Sequence, residues 1–263
     1  VFLCRDSGLR SDLDPLDAPF STRFDEQDAY CIFDDVEIPK SDVWIDGNLD
    51  VYNQVMSKGP WWPNIMQQTT ERALVKLEFA YGLACRMAEA INDTSERTME
   101  LLGELLGYVE MTRTTLTCAV DNASEWDGGA VYCEGRALHP LRALLPEWFT
   151  RTNEILKTIG SHNLLAAASQ HQLADTRLRS LIDEFMPGAN GVSATDRSVL
   201  FRIAWDFCGS LVGSRGELYE RNYLQSSRSN RLISQRSHSA AARQRGDELI
   251  AKLISDARSR RSA

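Results

Sequence analysis

The chain has 263 residues, 43% of them hydrophobic and 25% charged, which is enough apolar material for one large core and too much for a disordered polypeptide. No run approaches the roughly 18 consecutive apolar residues of a membrane span, and the opening VFLCRDSGLRSD, charged at Arg5 and Asp6, does not read as a signal peptide. A formal net charge of −8 leaves no chain-wide footprint for a phosphate backbone, so neither nucleic acid nor membrane is an expected partner.

Residues 1–47 contain short β-branched and aromatic runs, VFLC, YCIFDDVEIP and VWI, bounded by Asp, Gly and Pro, and these predict strands. The Asp-, Ser- and Pro-rich stretch between the first two reads as a loop, and Pro39 ends the middle run because it has no N–H for a ladder. Residues 1–60 are thus predicted to be the end of a β domain with its linker, too small to stand alone. Beyond Trp61-Trp62-Pro63 the apolar period changes from two to about 3.6. Leu74, Leu77, Tyr81, Ala84, Ala88 and Ile91 predict a helix over 64–92. Met99, Leu102, Leu106, Val109 and Leu116 predict a second, opened by Asp93 with Glu96 three residues on. Asp127-Gly128-Gly129 makes a break, and the third helix is predicted to be interrupted by Pro140 and Pro146, its later part running to Gly160. Leu200, Ile203, Phe207 and Leu211 set a fourth over 195–223, and a weaker basic helix follows over 237–258. The fold class is therefore mainly α, with a four-helix bundle over 61–228 and a basic helix or tail over 229–263. From residue 228 onward there are nine Arg/Lys against three Asp/Glu, so the rest of the chain is near −14.

Few of the residues form a chemical constellation. Six cysteines lie tens of residues apart without zinc spacing and read as buried free thiols of a cytoplasmic protein. Four histidines show no metal-binding spacing, so no metal is expected. Asp34 and Asp35 sit at adjacent strand positions, face opposite ways and make no catalytic dyad. Trp61-Trp62 has two readings: a stacking surface for an aromatic ligand, or an anchor where two layers meet.

Three ordered segments say more. Ser21-Thr22-Arg23-Phe24-Asp25-Glu26-Gln27-Asp28-Ala29, running into Phe33-Asp34-Asp35-Val36-Glu37-Ile38-Pro39, resembles a strand segment of the 4-hydroxyphenylacetate 3-hydroxylase family. Gln68-Thr69-Thr70-Glu71-Arg72-Ala73-Leu74-Val75-Lys76-Leu77-Glu78-Phe79 resembles that family's first bundle helix. Phe201-Arg202-Ile203-Ala204-Trp205-Asp206, with Gly213-Ser214-Arg215 and Glu217-Leu218-Tyr219-Glu220-Arg221-Asn222-Tyr223, resembles its last long helix.

The resemblance implies the acyl-CoA dehydrogenase-like fold, of which this chain would carry the last strands of the β domain and the C-terminal bundle, as a C-terminal fragment or one piece of a split enzyme. It implies ortho-hydroxylation of a phenol, free or carrier-tethered, by O2 and FADH2 delivered from a separate flavin reductase, in a dry cavity that protects the activated oxygen. It also implies a homo-oligomer, a dimer of dimers. The family's cofactor loop corresponds to Tyr223, Leu224, Gln225, Ser226 and Ser227, with the two hydroxyls and backbone N–H groups as candidate FAD contacts. Arg215 and Arg221 are candidates to neutralise the pyrophosphate, although Glu217 and Glu220 stand near enough to pair with them instead. No catalytic residue is assigned. A dehydratase branch of the family ligates an iron–sulfur cluster where this chain has Gln67 and Leu74, which would not hold iron. Two other readings stay open: a flavoenzyme of acyl-CoA dehydrogenase type, and a non-catalytic oligomerisation module.

Overall fold

Of the predicted strands only Phe2–Cys4 (β1) and Ala29–Cys31 (β2) form, as an antiparallel pair with Leu3 opposite Tyr30. The structure, a computed structural model, describes residues 1–4, 13–223 and 225–262. The rest of the middle run and the VWI segment are not strands: a ladder needs a partner for its N–H and C=O groups, and among the described residues no further strand lies beside them. Their apolar side chains face outward, Phe33 77% and Trp44 95% exposed. Where a linker was expected, Asn48 accepts the Val51 N–H at 3.0 Å and opens a helix, Leu49–Lys58 (α1).

Trp61–Ala90 (α2) and Glu96–Asp121 (α3) follow the predicted periodicity, with a change of face in α3. There the core takes Leu101, Leu105 and Val109, while Met99 and Leu106 are exposed. The cap also differs. Ser95, not Asp93, is the N-cap, and Asp93 accepts the Ser95 N–H (3.0 Å) and the Thr98 hydroxyl (2.6 Å) beside it. The glycine break is a hairpin, Ser124–Trp126 (β3) with Ala130–Tyr132 (β4), turned at Gly128 and Gly129, whose φ values of +86° and +81° favour glycine.

Gly135–Gly160 (α4) runs unbroken through both prolines, against the expected interruption. It is the central helix and packs on α2, α3 and the elements that follow. Asn163–Ala166 (α5), Gln170–Ala174 (α6) and Thr176–Phe185 (α7) are short pieces that seat Leu173 and Ile182 against Ala194. The fourth bundle helix is divided into Ala194–Cys208 (α8) and Leu211–Asn222 (α9). At the division a Cβ on Gly209 would lie 2.3 Å from the Trp205 ring and one on Gly213 2.7 Å from the Phe207 carbonyl, so both positions require the absent side chain. Ser210 caps the second piece by accepting the Gly213 N–H at 3.1 Å.

Two buried polar groups attach the flanking segments to this bundle. Asp206 on α8 accepts the N–H groups of Phe20 (2.7 Å) and Ser21 (2.9 Å) and the Ser21 hydroxyl (2.5 Å), so the Ser21-Thr22-Arg23-Phe24 turn is fastened to the core. Phe20 then packs on Phe79 and Phe207, each with ring centroids 5.5 Å away. On the other side, Ser227–His238 (α10) lies along α4. Pro146 has no N–H for the carbonyl of Arg142 one turn earlier, and the Asn230 side-chain amide donates to that carbonyl at 2.9 Å. Arg231 pairs with Glu147 at 2.7 Å, and the His139 and His238 rings meet at 4.0 Å. The last helix, Ala240–Ser262 (α11), is exposed along nearly its whole length.

Two outcomes follow from the packing of α10 and α11. Deleting residues 240–262 removes almost no surface buried within one copy, so under dilution to the monomer the expected change in Tm is under about 2 °C by differential scanning calorimetry. A larger fall that depends on protein concentration would place α11 against a second copy. The His pair gives a pH dependence. Burial first, then the charge of neighbouring His238 and Arg142, lowers the His139 pKa to about 4, opposed by Glu134. The unfolded imidazole protonates near 6.5, so between those values the unfolded chain binds more protons and stability falls as pH is lowered. Solvent screening at this half-buried site reduces the effect to roughly 1 kcal/mol. Denaturant titrations at pH 7 and pH 4.5 should show His139→Gln losing less stability than the parent by about that amount.

Candidate functional site

The C-terminal end of α9 is held by a buried carboxylate. Glu220, 7% exposed, receives both terminal nitrogens of Arg72 and the Lys76 ammonium at 2.5 Å. Arg72 and Lys76 stand four residues apart on α2 and so share the face that α9 crosses. Only Glu220 is fully buried, so its removal, which leaves two partly exposed cations side by side, is the costly change, whereas removal of either cation leaves Glu220 its other partner. The Arg72 guanidinium also lies 5.1 Å from the Tyr219 ring and 5.2 Å from the Tyr223 ring, and those rings stack at 4.7 Å. Burial raises the Tyr219 phenol above its ordinary value, against the pull of Arg72.

Arg215 lies one turn before Tyr219, 5.8 Å from its ring. Its guanidinium holds Asp28 through two bonds of 2.7 Å and Glu26 through one of 2.9 Å, and the Asp28 bond keeps it protonated above its ordinary range. Of the two ion pairs weighed from sequence, Arg221 with Glu217 forms at 2.5 Å. The other does not: Arg215 reaches back to the N-terminal segment, and Glu220 serves α2.

Tyr223 ends α9 with its N–H on the Tyr219 carbonyl at 2.8 Å, while Leu224 lies outside the described residues. Gln225 has φ +69°, a left-handed conformation that costs a non-glycine residue roughly 1–2 kcal/mol. Its N–H reaches the Asn222 carbonyl at 3.0 Å. Ser226 is the N-cap of α10: its hydroxyl accepts the Ser229 N–H (3.3 Å) and donates to the Ser229 hydroxyl (3.1 Å). Ser227 differs. Its Oγ is buried with no hydrogen-bond partner among the described residues, at the first turn of a helix whose opening N–H groups carry the positive end of the dipole. The N–H groups of Ser229 and Asn230 are already bonded to Ser226, so the Ser227 hydroxyl and the positive end of the α10 dipole are what a phosphate or a polar ring edge of a nucleotide cofactor would meet.

The Arg72, Lys76 and Glu220 group was missed in sequence. The spacing of Arg72 and Lys76 was visible, but nothing along one chain segment says which distant carboxylate will meet them. Trp62 serves as an anchor, with the buried Arg142 guanidinium 4.3 Å above its ring and Trp61 edge-on at 5.0 Å. The thiols depart from expectation: Cys133 and Cys208 are buried, with Cys208 pushed up to about 11 by desolvation, whereas Cys4, Cys31 and Cys118 are exposed. Gln67 bonds Glu71 at 2.9 Å, and Leu74 packs on the core.

The family model described as 4-hydroxyphenylacetate 3-hydroxylase C terminal matches residues 53–246. A 4-hydroxyphenylacetate 3-monooxygenase oxygenase component of Thermus thermophilus is 34% identical over 85% of this chain and 46% of its own length. The oxygenase component of 4-nitrophenol 2-monooxygenase from a Rhodococcus species is 30% identical over 80% of this chain and 40% of its own. Among solved structures, a 4-hydroxyphenylacetate 3-monooxygenase oxygenase component complexed with FAD and 4-hydroxyphenylacetate superposes with a TM-score of 0.89 at 30% identity, over 97% of this chain and 53% of that one. The chain therefore spans about half the length of the relatives it matches. The architecture is the C-terminal bundle of the acyl-CoA dehydrogenase-like fold, and the chain belongs to the 4-hydroxyphenylacetate 3-hydroxylase family.

Proposed function

We propose that this chain is the cofactor-holding C-terminal portion of a flavin-dependent monooxygenase that ortho-hydroxylates a phenol with O2, using FADH2 from a separate reductase. The observation that carries the reading is the uncommitted Ser227 hydroxyl at the α10 N-terminus, in the loop that corresponds to the family's cofactor contact. Similarity to oxygenase components, one of them solved with FAD and 4-hydroxyphenylacetate, supports it. Bound reduced flavin supplies the two electrons and the oxygen activation. The residues of this chain bind and orient. Ser227 Oγ and the first N–H groups of α10 donate to the cofactor; Tyr223 and Gln225 shape its approach; Ser226 keeps the helix end formed. Arg215, the candidate for the pyrophosphate, is outnumbered by Asp28 and Glu26, so that group adds no net positive potential. Arg72 and Lys76 do add it, through a group that Glu220 only partly neutralises.

The phenol, a free acid or a carrier-tethered ring, is read by groups beyond this bundle. The outward apolar side chains of residues 1–4 and 13–55 suit packing against a β-rich polypeptide. Exposed Leu249, Ile250, Leu253 and Ile254 on α11 suit assembly as a homo-oligomer, a dimer of dimers. Three exposed free thiols suit the cytoplasm, and among the described residues no helix is long and apolar enough to cross a membrane. Acyl-CoA dehydrogenase chemistry would need a carboxylate free to act as base, whereas buried Glu220 and Asp206 are both committed to hydrogen bonds.

Anaerobic titration with FADH2 tests the site. Ser227→Ala removes one neutral hydrogen bond, about 0.5–1.5 kcal/mol, and should weaken binding by roughly 2- to 12-fold without loss of stability. Ser226→Ala, by contrast, should lower stability by about 1 kcal/mol through the lost cap. Admitting O2 and a phenol should yield the ortho-diphenol once the β-rich polypeptide is supplied. Absence of FADH2 binding both with and without that polypeptide would reject the reading.

A further inference from the structure

The loop 223–227 is short, carries a left-handed Gln225 and sits on an otherwise exposed edge, so something must hold it in one conformation if it is to meet a cofactor. We propose that Asn230 is the positioning residue of this loop, acting through the helix defect at Pro146. The inference rests on the reading of the loop as a flavin contact.

Proline at 146 deprives the Arg142 carbonyl of its helical donor, and that carbonyl faces α10 in the interior, where an acceptor left bare is costly. Asn230, 2% exposed, brings its amide to 2.9 Å. The same nitrogen stands 3.3 Å from the carbonyl of Gln225, the residue at φ +69°, and the Asn230 backbone N–H reaches the Ser226 carbonyl at 3.1 Å. One residue thus connects a carbonyl of the central helix to both carbonyls that frame the end of the loop. Ser227 lies three positions before Asn230 and so on the same side of α10, which means that seating Asn230 also sets where the uncommitted hydroxyl stands. Aspartate has the shape of asparagine but no N–H to give either carbonyl, and a proline-free α4 would not present the acceptor at all.

The test follows amide hydrogen exchange and FAD affinity in the 263-residue chain. Asn230→Ala should speed exchange over 225–231 by about tenfold or more while α2 and α3 stay protected, and should weaken FAD binding about fivefold or more. Asn230→Asp should do the same. In Pro146→Ala/Asn230→Ala, residue 146 regains an N–H for the Arg142 carbonyl, so thermal stability should recover while fast loop exchange and weak FAD binding persist, the Gln225 link being still absent. That double variant also carries the test should Asn230→Ala fail to fold. Recovery of all three readouts in it would make Asn230 a mere filler of the helix defect and overturn the inference. Unchanged loop exchange in the single variants would overturn it as well. Faster exchange with unaltered FAD affinity would instead remove the flavin reading of the loop, and with it the functional role assigned to Asn230.

Discussion

Much of this fold turns on a carbonyl that its own helix leaves without a donor. A proline in a helix interior costs about 3 kcal/mol or more when nothing replaces the lost bond, and α4, the helix that every other bundle element touches, carries one at 146. The replacement comes from Asn230 on a different helix, so the defect becomes an attachment point: α10 belongs to the bundle because α4 has an acceptor for it. Arg231 on Glu147 adds a surface contact of small value, and the His139–His238 contact adds one that acid weakens. Neither would specify where α10 sits along α4. A single buried acceptor does, since only one residue of α10 can reach it at a time.

The same logic of distant partners explains which parts of the sequence could be read and which could not. Apolar spacing placed α2 to within a few residues because its stripe is long. In α3 it chose Leu102 and Leu106 over Leu101 and Leu105, since both sets obey the same period and only packing against α2 and α4 decides between them. Pro140 and Pro146 predict breaks for a local reason that, at 146, a tertiary hydrogen bond overrides. Pro140 stands in the second turn, where the one carbonyl that loses its donor belongs to exposed Arg136. The strands failed in the opposite direction: Ile32–Pro39 has the right composition, but a strand is a relation between two segments, and composition describes one.

The three segments that resemble the family are, in the structure, the ones joined to each other. Ser21 in the first is held by Asp206 in the third; Arg72 and Lys76 in the second hold Glu220 in the third; Arg215 in the third returns to Asp28 in the first. Each pair places charged or polar side chains where a substitution on one side leaves an unpaired partner on the other, so these residues are constrained together while the surrounding apolar positions can exchange Leu for Ile or Met. This is why a family likeness was legible from a few polar strings when the bundle itself, being generic, said nothing of function. It is also why the likeness alone did not separate scaffold from site: Glu220 lies in the most recognisable string and spends its carboxylate on Arg72 and Lys76.

The loop at 223–227 differs from the ion-paired groups of that scaffold in joining a buried hydroxyl without a partner, a feature that Thr152, Thr195 and Ser198 share, to a left-handed residue. Glu220, Asp206 and Asn230 all have partners, and Ser226 closes its own cap. Ser227 alone in this loop hides a hydroxyl from water without giving it a partner, in a stretch that also tolerates a left-handed glutamine. Either feature by itself lowers stability by about 1–3 kcal/mol. The Ser227 hydroxyl, at the opening turn of α10 and a few residues beyond Tyr223, on whose ring the Arg72 guanidinium lies, is a donor whose missing acceptor a ligand can supply once the loop opens to it.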